Sequence, residues 1–389
     1  MKCRSFRSVL TDAYRAGCEV GEGLSAALPE VVVLFASTNY LDDVASLLQG
    51  VEDGLGAPGA IVFGCSGDGV YESGAVGHFG VSALSLDSGG AVRWTVSTAP
   101  GVRADSFAAG RECARRAVDV LGPPDFAFAL ADGAVADGAV ADGSRLVDGL
   151  SSVLQRPYFG GLAADDRKFA RTFVLANGKA HQDTVALLAG RGAIRAWMSS
   201  ASGWTLTGAP GTVDACRGNV IERIGGTTAG EFIRRQLGKT PDEVDLGVVP
   251  LATFPPGDRT HPALRTPLSF DSETGAVTVF GSIAQGSVVQ ACTATRGDVI
   301  AGVDLALGGL RPAELEPAGV LVVSCAGRKW LMGDQGRDEV ARLQTWLGRD
   351  LPLAGFPSYG EIGPFRLADG SCGPSRFHNV TLVLCVLGK

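Results

Sequence analysis

The chain has 389 residues, a length typical of two or three domains. A net charge of −7 with no block of Lys or Arg removes the attraction on which nonspecific nucleic-acid binding depends. The longest apolar runs are far shorter than the ~20 residues of a membrane helix, and no signal-peptide core follows Met1. We therefore expect a cytoplasmic protein without nucleic-acid or membrane partners.

Two residue types set further limits. Glycine accounts for 55 of the 389 residues, about twice its usual share of ~7%, so much of the backbone turns tightly or packs closely. The nine cysteines include no Cys-x-x-Cys pair. This pattern favours free thiols over disulfides or a zinc site.

The predicted elements begin with residues 1–28, whose apolar side chains at helical spacing indicate an N-terminal helical segment. A β-branched apolar run then opens the first of three similar stretches. Its predicted elements are a strand at 31–36, a helix at 40–55, a strand at 60–63, a glycine-rich polar loop at 64–69 and a strand at 81–86.

The same order of elements recurs twice. The second copy has a strand at 125–130, a helix at 144–154, a strand at 157–159, a loop at 160–166 and a strand at 185–189. The third has a strand at 320–324, a helix at 338–347, a strand at 352–356, a loop at 358–363 and a strand at 381–387. We predict a three-fold internal repeat of a β-α-β-loop-β unit. The alternative is a coincidence of the kind that any α/β protein offers.

Short alternating segments dominate the chain between residues 169 and 291 and predict antiparallel meanders, interrupted by helices at 228–237 and 296–307. A repeat of Asp-Gly every five residues over 132–143 predicts a solvent-facing loop. The fold class is α/β or α+β, with two halves of mixed or antiparallel sheets covered by helices and a ligand cleft between them. The predicted domain limits are 1–28, 29–225 and 226–389.

Catalytic and metal motifs have no support in the sequence. No Gly-x-Gly-x-x-Gly follows a strand, and Asp68 stands where a Gly-x-Ser-x-Gly elbow would need its last glycine. The four histidines lie far apart without metal spacing. We therefore predict no catalytic residue and no metal ligand.

Several motifs nevertheless resemble the FIST family. Those resembling its N-terminal domain are Phe63 to Gly67, Phe159 to Asp166, Ser202-Gly203-Trp204, Gly218-Asn219 and Gly225-Gly226. Those resembling its C-terminal domain are Ser324 to Arg328, Gly355 to Pro364 and Phe377 to Thr381. The element Tyr-Gly-Glu-Ile-Gly-Pro at 359–364 is the most specific of them.

The resemblance implies a sensory module of intracellular signal transduction that binds a small molecule such as an amino acid. Some family members resemble haem proteins that sense nitric oxide and regulate histidine kinases. The sequence shows no kinase, cyclase or DNA-binding segment, so we expect a stand-alone sensor whose output passes to a separate partner, such as a histidine kinase. We predict no cofactor, with haem as the alternative.

The candidate ligand-binding residues lie mainly on the predicted loops. Tyr359 and Glu361 follow an apolar strand, where a phenol and a carboxylate can face a cleft. Asp165 and Asp166 hold the equivalent place in the second copy and could recognise an amine, and Ser66 lies in the first. The alternative for these side chains is hydrogen bonding within glycine-rich turns.

Two further candidates come from other motifs. Arg328 could pair with a ligand carboxylate or form an internal ion pair with Glu361. Trp204 could stack against a ligand, and core packing is its alternative.

Histidines and cysteines define two other hypotheses. His378 and His261 are the candidate haem ligands in a nitric-oxide sensor, and hydrogen bonding to a nearby turn is the alternative for His378. Cys65 and Cys325 would be reactive thiols in a cysteine-dependent enzyme if a positive neighbour such as Arg328 lowered the thiol pKa. Otherwise they are small buried hydrophobic residues.

Overall fold

The computed structural model describes residues 1–27, 29–133, 141–238, 249–258, 262–310, 315–348, 351–366 and 370–388. Within these ranges the repeat predicted from the sequence is present as three units. Each unit runs strand, helix, strand, helix and then four strands. The third unit carries one extra helix and a large insertion after its first strand.

Unit 1 contains β1 (Lys2–Ser8), α1 (Ala13–Leu24), β2 (Val31–Ser37), α2 (Val44–Leu55), β3 (Ile61–Gly67), β4 (Val70–Glu72), β5 (Ala75–Gly77) and β6 (Val81–Asp87). Unit 2 contains β7 (Val92–Pro100), α3 (Ser106–Leu121), β8 (Phe126–Ala131), α4 (Gly143–Ser151), β9 (Phe159–Leu162), β10 (Val174–Ala176), β11 (Lys179–His181) and β12 (Thr184–Gly192).

Unit 3 begins with β13 (Arg195–Ala201), after which the insertion follows. The insertion contains β14 (Thr205–Leu206), β15 (Gly211–Arg217), β16 (Val220–Ile224), β17 (Thr227–Thr228), α5 (Ala229–Leu237), β18 (Leu251–Phe254), β19 (Ala263–Arg265), β20 (Pro267–Phe270), β21 (Val277–Val279) and β22 (Val288–Thr293). Unit 3 then continues with α6 (Arg296–Leu307), β23 (Pro317–Cys325), α7 (Ala326–Met332), α8 (Gly336–Leu347), β24 (Leu353–Ser358), β25 (Gly360–Arg366), β26 (Cys372–His378) and β27 (Leu382–Gly388).

Strand pairing is the same in all three units. In unit 1, β2 runs parallel to β3 and antiparallel to β6, whose other neighbour is β1. The same relations hold among β8, β9, β12 and β7 in unit 2 and among β23, β24, β27 and β13 in unit 3. The predicted mixed sheets are thus confirmed, because each sheet contains both parallel and antiparallel pairs. A helical crossover joins the two strands of each parallel pair.

The units exchange hairpins. The hairpin β10–β11 of unit 2 pairs with β3 of unit 1, β25–β26 of unit 3 pairs with β9 of unit 2, and β4–β5 of unit 1 pairs with β24 of unit 3. Three six-stranded sheets result, each completed by a neighbouring unit. Because every sheet needs strands from two units, the three units fold as one interlocked body.

The inner faces of the three sheets share one apolar core, and helices cover the outer faces, as the sequence predicts. Phenylalanines from all three units meet in this core. Phe128 stacks on Phe159 with ring centroids 4.3 Å apart, and Phe35 stacks on Phe356 at 4.9 Å. All four rings are buried, so aromatic packing joins the units at the centre of the molecule.

Two predictions of local structure are wrong. Residues 2–8 form β1, paired over its whole length with β6, and the helix begins only at Ala13. The predicted loops at 64–69 and 358–363 lie largely within β3 and β25. Their glycines mark close backbone approach, since a Cβ at Gly64 would lie 1.6 Å from the carbonyl oxygen of Leu34.

The insertion forms an antiparallel nine-stranded sheet, which confirms the predicted meanders. Gly225 and Gly226, the predicted domain boundary, lie in the turn between β16 and β17 of this sheet. Most of the Asp-Gly repeat, residues 134–140, lies outside the described residues. No helix in the described ranges combines the length and apolar composition needed to cross a membrane.

Candidate functional site

The parallel strands β3, β9 and β24 end around a common axis, where their backbones form a closed ring of hydrogen bonds. The axial ring consists of bonds from Ala164 N to Ser66 O (3.1 Å), from Tyr359 N to Leu162 O (3.1 Å) and from Asp68 N to Pro357 O (3.0 Å). Each unit donates one bond and accepts one. The three chain segments that the sequence singles out therefore meet at one end of the molecule.

Tyr359 and Asp165 are in direct contact at the axial ring. The Tyr359 hydroxyl donates to Asp165 Oδ1 at 2.5 Å, and burial together with this carboxylate raises the pKa of Tyr359. The Asp165 carboxylate also accepts the backbone N–H groups of Phe169, Ala170 and Arg171 at 2.7 to 2.8 Å. The Asp165 carboxylate therefore accepts its hydrogen bonds from groups within the protein, whereas Asp166 is exposed.

Residues 166–169 form a strained segment over Tyr359. Asp166, Arg167 and Phe169 have φ values of 58°, 62° and 50°, in the left-handed region that side-chain-bearing residues seldom adopt. The Phe169 ring stacks on Tyr359 with centroids 4.4 Å apart, and the Arg167 guanidinium lies 3.7 Å above the Trp330 ring. The bonds to Asp165 hold this backbone in place.

Glu361 is completely buried beside these residues. Its Oε1 accepts from Ser358 Oγ at 2.5 Å, and its Oε2 accepts from Thr381 N at 3.0 Å and Thr381 Oγ1 at 2.9 Å. Burial raises the pKa of Glu361 to about 7, although the hydrogen bonds act in the opposite direction. This carboxyl group can therefore gain or lose a proton near neutral pH.

Arg328 has a partner that the sequence did not predict. Its guanidinium forms a completely buried ion pair with Glu339 at 2.5 Å and donates to the carbonyl oxygens of Ser202 at 2.5 Å and Val299 at 2.9 Å. The expected internal pair with Glu361 is wrong. Because these bonds join α7 to α8, to the start of the insertion and to α6, Arg328 holds elements together rather than facing a ligand.

Lys329 and Asp68 form a second buried ion pair that the sequence does not predict. Lys329 Nζ donates to both Asp68 Oδ1 and Asp68 O at 2.5 Å, and Trp330 Nε1 donates to Asp68 Oδ2 at 2.7 Å. Burial raises the pKa of Asp68, and the Lys329 charge opposes that shift. No local pattern could reveal this contact, because 261 residues separate Asp68 from Lys329.

A cavity of about 30 Å³ opens beside the axial ring. Aromatic, small and polar side chains line it: Phe169, Thr266, Phe280, Cys325, Ala326, Gly327, Trp330, Ser358, Tyr359 and Asn379. Two of the residues singled out in the sequence, Tyr359 and Cys325, lie in this wall. Glu361 lies directly behind Ser358. Of the predicted ligand-binding residues, Tyr359 alone lines this small space between unit 3, unit 2 and the insertion.

Two wall residues carry buried polar atoms without partners. Among the described residues, neither Thr266 Oγ1 nor Asn379 Nδ2 has a hydrogen-bond partner. The backbone N–H of Thr266 donates to Asn379 Oδ1 at 3.1 Å, which orients the amide so that Nδ2 is the free donor. Unpaired buried polar atoms are costly, and a bound molecule can satisfy them. Asn379 lies in the Phe-His-Asn motif, whereas no sequence signal marks Thr266.

Ser66 and Trp204 do not line this cavity. Ser66 is buried within the axial ring, and its Oγ accepts from Phe173 N at 3.2 Å. Trp204 is half-buried and packs in the apolar clusters that include Cys325 and Met332. Trp204 therefore packs behind the wall residue Cys325, whereas Ser66 stabilises the axial ring.

The two candidate thiols have the opposite chemistry to a reactive cysteine. Cys65 is completely buried, and burial raises its pKa. Cys325 is also buried, and burial together with the neighbouring Glu361 charge raises its pKa. Since Arg328 pairs with Glu339, it does not lower the Cys325 pKa as the sequence-based hypothesis requires.

The surroundings of His378 do not fit a haem ligand. The imidazole is completely buried, and the Phe365 ring packs edge-on against it with ring centroids 4.6 Å apart. Burial and the charges of Arg265 and Arg376 lower the pKa of His378 to about 3. His261 lies outside the described residues. Within those residues, no three His, Cys, Asp or Glu side chains come together as metal ligands.

Comparison with known protein families accounts for nearly the whole chain. Residues 30–227 match the FIST N domain, and residues 229–364 match the FIST C domain. A comparison with curated proteins finds no match. The border between the two matches falls inside the inserted sheet, so unit 2 and unit 1 from β2 onward lie in the first match and most of unit 3 in the second. The chain belongs to the FIST family of signal-transduction sensor domains.

Proposed function

We propose that the protein is a stand-alone sensor that binds a small polar, amino-acid-like ligand in the cavity beside the axial ring. The observation that carries this proposal is that two residues lining the cavity, Thr266 and Asn379, carry the buried and unpartnered atoms Oγ1 and Nδ2. An amide nitrogen can only donate, and a hydroxyl can donate or accept. The ligand must therefore present an acceptor oxygen, as a carboxylate or carbonyl does.

The remainder of the wall suits the other end of an amino acid. Phe169, Phe280, Trp330 and Tyr359 contribute aromatic rings, whose faces attract an ammonium group. The buried carboxylate of Asp165, bonded to the Tyr359 hydroxyl, adds negative charge behind them. Since the cavity holds roughly two water-sized groups, the ligand's polar head enters and the rest faces the half-buried Phe169 and Trp330.

The segment 166–169 offers a route for the output. Phe169 lines the cavity, while Asp166, Arg167 and Lys168 are exposed. A ligand that contacts Phe169 would shift the conformational equilibrium of this strained segment, whose other side faces solvent. A separate signalling protein, such as a histidine kinase, would bind this exposed surface in one of its conformations.

The test is calorimetry and thermal shift with the free amino acids, using paired threonine variants. Thr266→Val removes an unpartnered hydroxyl, so the free protein keeps its stability, but the affinity falls about tenfold for one lost hydrogen bond. Thr184→Val is the control, because that buried hydroxyl already donates to Gln182 O at 2.7 Å. The control loses stability and keeps its affinity. The proposal fails if no amino acid binds the wild type, or if Thr266→Val binds as tightly.

A further inference from the structure

Because units 1 and 2 share the fold of unit 3, their residues at aligned positions show which side chains of unit 3 the fold itself does not require. The units align at glycines whose added Cβ would strike the carbonyl oxygen of the neighbouring strand, at 1.6 Å for Gly64, 1.8 Å for Gly160 and 2.1 Å for Gly355. Three residues later, the aligned positions are Gly67 in unit 1, Ala163 in unit 2 and Ser358 in unit 3. The fold therefore does not require a hydroxyl at this position.

The first strand of each exchanged hairpin shows the same contrast. In sheet register, Leu175 lies opposite Gly64, Ile362 opposite Gly160, and Tyr71 opposite Gly355. The preceding residues are Val174, Glu361 and Val70 respectively. Unit 3 alone replaces a buried valine with a carboxyl group, at a cost in desolvation free energy that the other units avoid.

We propose that Ser358 and Glu361 form a nucleophile and general base that transfer an acyl group from a small ester or amide bound in the cavity. Ser358 lines the cavity, and its Oγ donates to Glu361 Oε1 at 2.5 Å. Thr381 holds the other carboxylate oxygen through its N–H and hydroxyl. A nucleophile bonded to a base that a third residue orients is the arrangement that activates a serine.

Two further properties support this chemistry. The pKa of Glu361, raised to about 7 by burial, is close to the optimum for a general base at neutral pH. Asn379 and Thr266 line the same cavity, and their unpartnered Nδ2 and Oγ1 would donate to an oxyanion bound there. The nucleophile and the proposed oxyanion donors thus belong to residues of one wall, and the base lies directly behind the nucleophile.

The reaction balances with water as the second substrate. Ser358 Oγ forms a bond to the carbonyl carbon, and its proton passes to Glu361 Oε1. The resulting oxyanion accepts hydrogen bonds from Asn379 and Thr266, and its collapse breaks the bond to the alcohol or amine, which takes the proton from Glu361. Water then attacks the acyl-serine, Glu361 receives the water's proton and returns it to Ser358 Oγ, and a carboxylic acid leaves.

This inference rests on the proposed function, because the same cavity must admit the small molecule. Its test uses methanesulfonyl fluoride, which would lose fluoride as Ser358 Oγ bonds to sulfur. Intact-protein mass spectrometry and peptide mapping should locate one adduct on Ser358. Ser358→Ala should abolish it, and the fold should persist because unit 2 carries Ala163 there. Glu361→Gln should slow labelling about 100-fold or more.

Ser97→Ala is the matched control, since Ser97 is a buried serine that donates to Cys113 O at 2.8 Å and does not line the cavity. Its labelling should equal that of the wild type. An adduct on Cys325 or only on surface residues, no adduct at all, or labelling unaffected by Glu361→Gln would each overturn the inference. Amino-acid binding without labelling of Ser358 would leave the proposed function intact, and labelling without amino-acid binding would reject that function alone.

Discussion

Unit 3 and its two counterparts share a backbone and differ in the side chains that surround the axis. All three units contribute equally to the axial ring of hydrogen bonds. Only unit 3 adds a hydroxyl and a carboxyl group at positions where units 1 and 2 place small or apolar residues. The difference separates two roles: the shared glycines and backbone bonds build the scaffold, and the polar residues of one unit are those to which we assign the proposed chemistry.

The largest expected effect concerns the shared part. Gly64→Ala and Gly160→Ala place a Cβ within 2 Å of a backbone oxygen that cannot move without breaking the sheet. We expect each to lower the free energy of unfolding by more than about 4 kcal/mol, a loss that few substitutions reach. Urea denaturation measures it.

Gly336→Ala is the control for those variants. Nothing lies within 4 Å of a Cβ at Gly336, and this residue begins α8 with a negative φ. Its stability should be unchanged or slightly higher. If Gly64→Ala behaved like Gly336→Ala, the close approach that aligns the three units would not limit the fold.

The second prediction concerns the residue that distinguishes unit 3. Folding raises the pKa of Glu361 from 4.5 to about 7, so the native state binds its proton more tightly than the unfolded chain. Stability from this group is therefore full below pH 4.5 and is lost as the pH rises through 7, by roughly 3 kcal/mol in total.

Urea unfolding of the wild type and Glu361→Gln across this pH range checks the sign and the size. The amide does not titrate, so the difference between the two proteins should change with the pH while other groups cancel. Equal pH dependence in both would show that Glu361 has an ordinary pKa and would weaken its assignment as a base.

The smallest effect tests the contact between units at the axis. Tyr359→Phe removes a hydrogen bond to the buried Asp165 carboxylate and should cost about 2 kcal/mol, because bonds to charged groups are the stronger kind. Tyr40→Phe in unit 1 is the comparison, since that hydroxyl donates to the neutral Leu10 carbonyl at 2.5 Å. It should cost about 1 kcal/mol. Equal losses would mean that Asp165 is satisfied by its three backbone donors alone.

Strand and helix patterns could be predicted because they depend on neighbours in sequence. The apolar run at 31–36 and the amphipathic pattern at 338–347 both correspond to elements of the structure. The helix predicted for the first residues is wrong because β1 forms by pairing with β6, about 80 residues away along the chain. Glycines at 64 and 360 were assigned to loops because sequence alone does not distinguish a turn from a close packing contact.

The sequence by itself determined the three-fold recurrence and the FIST resemblance, because periodicity and local motifs are written along the chain. That the loops carrying Tyr359, Glu361 and Asp165 would meet is an expectation drawn from them. Only the tertiary structure decided which unit completes which sheet, that Arg328 pairs with Glu339, and that Thr266 and Asn379, which carry unpartnered buried atoms, line a cavity. Those outcomes depend on burial and on partners more than 100 residues apart in most cases. A side chain's charge state and free hydrogen bonds are set by the neighbours that folding brings to it.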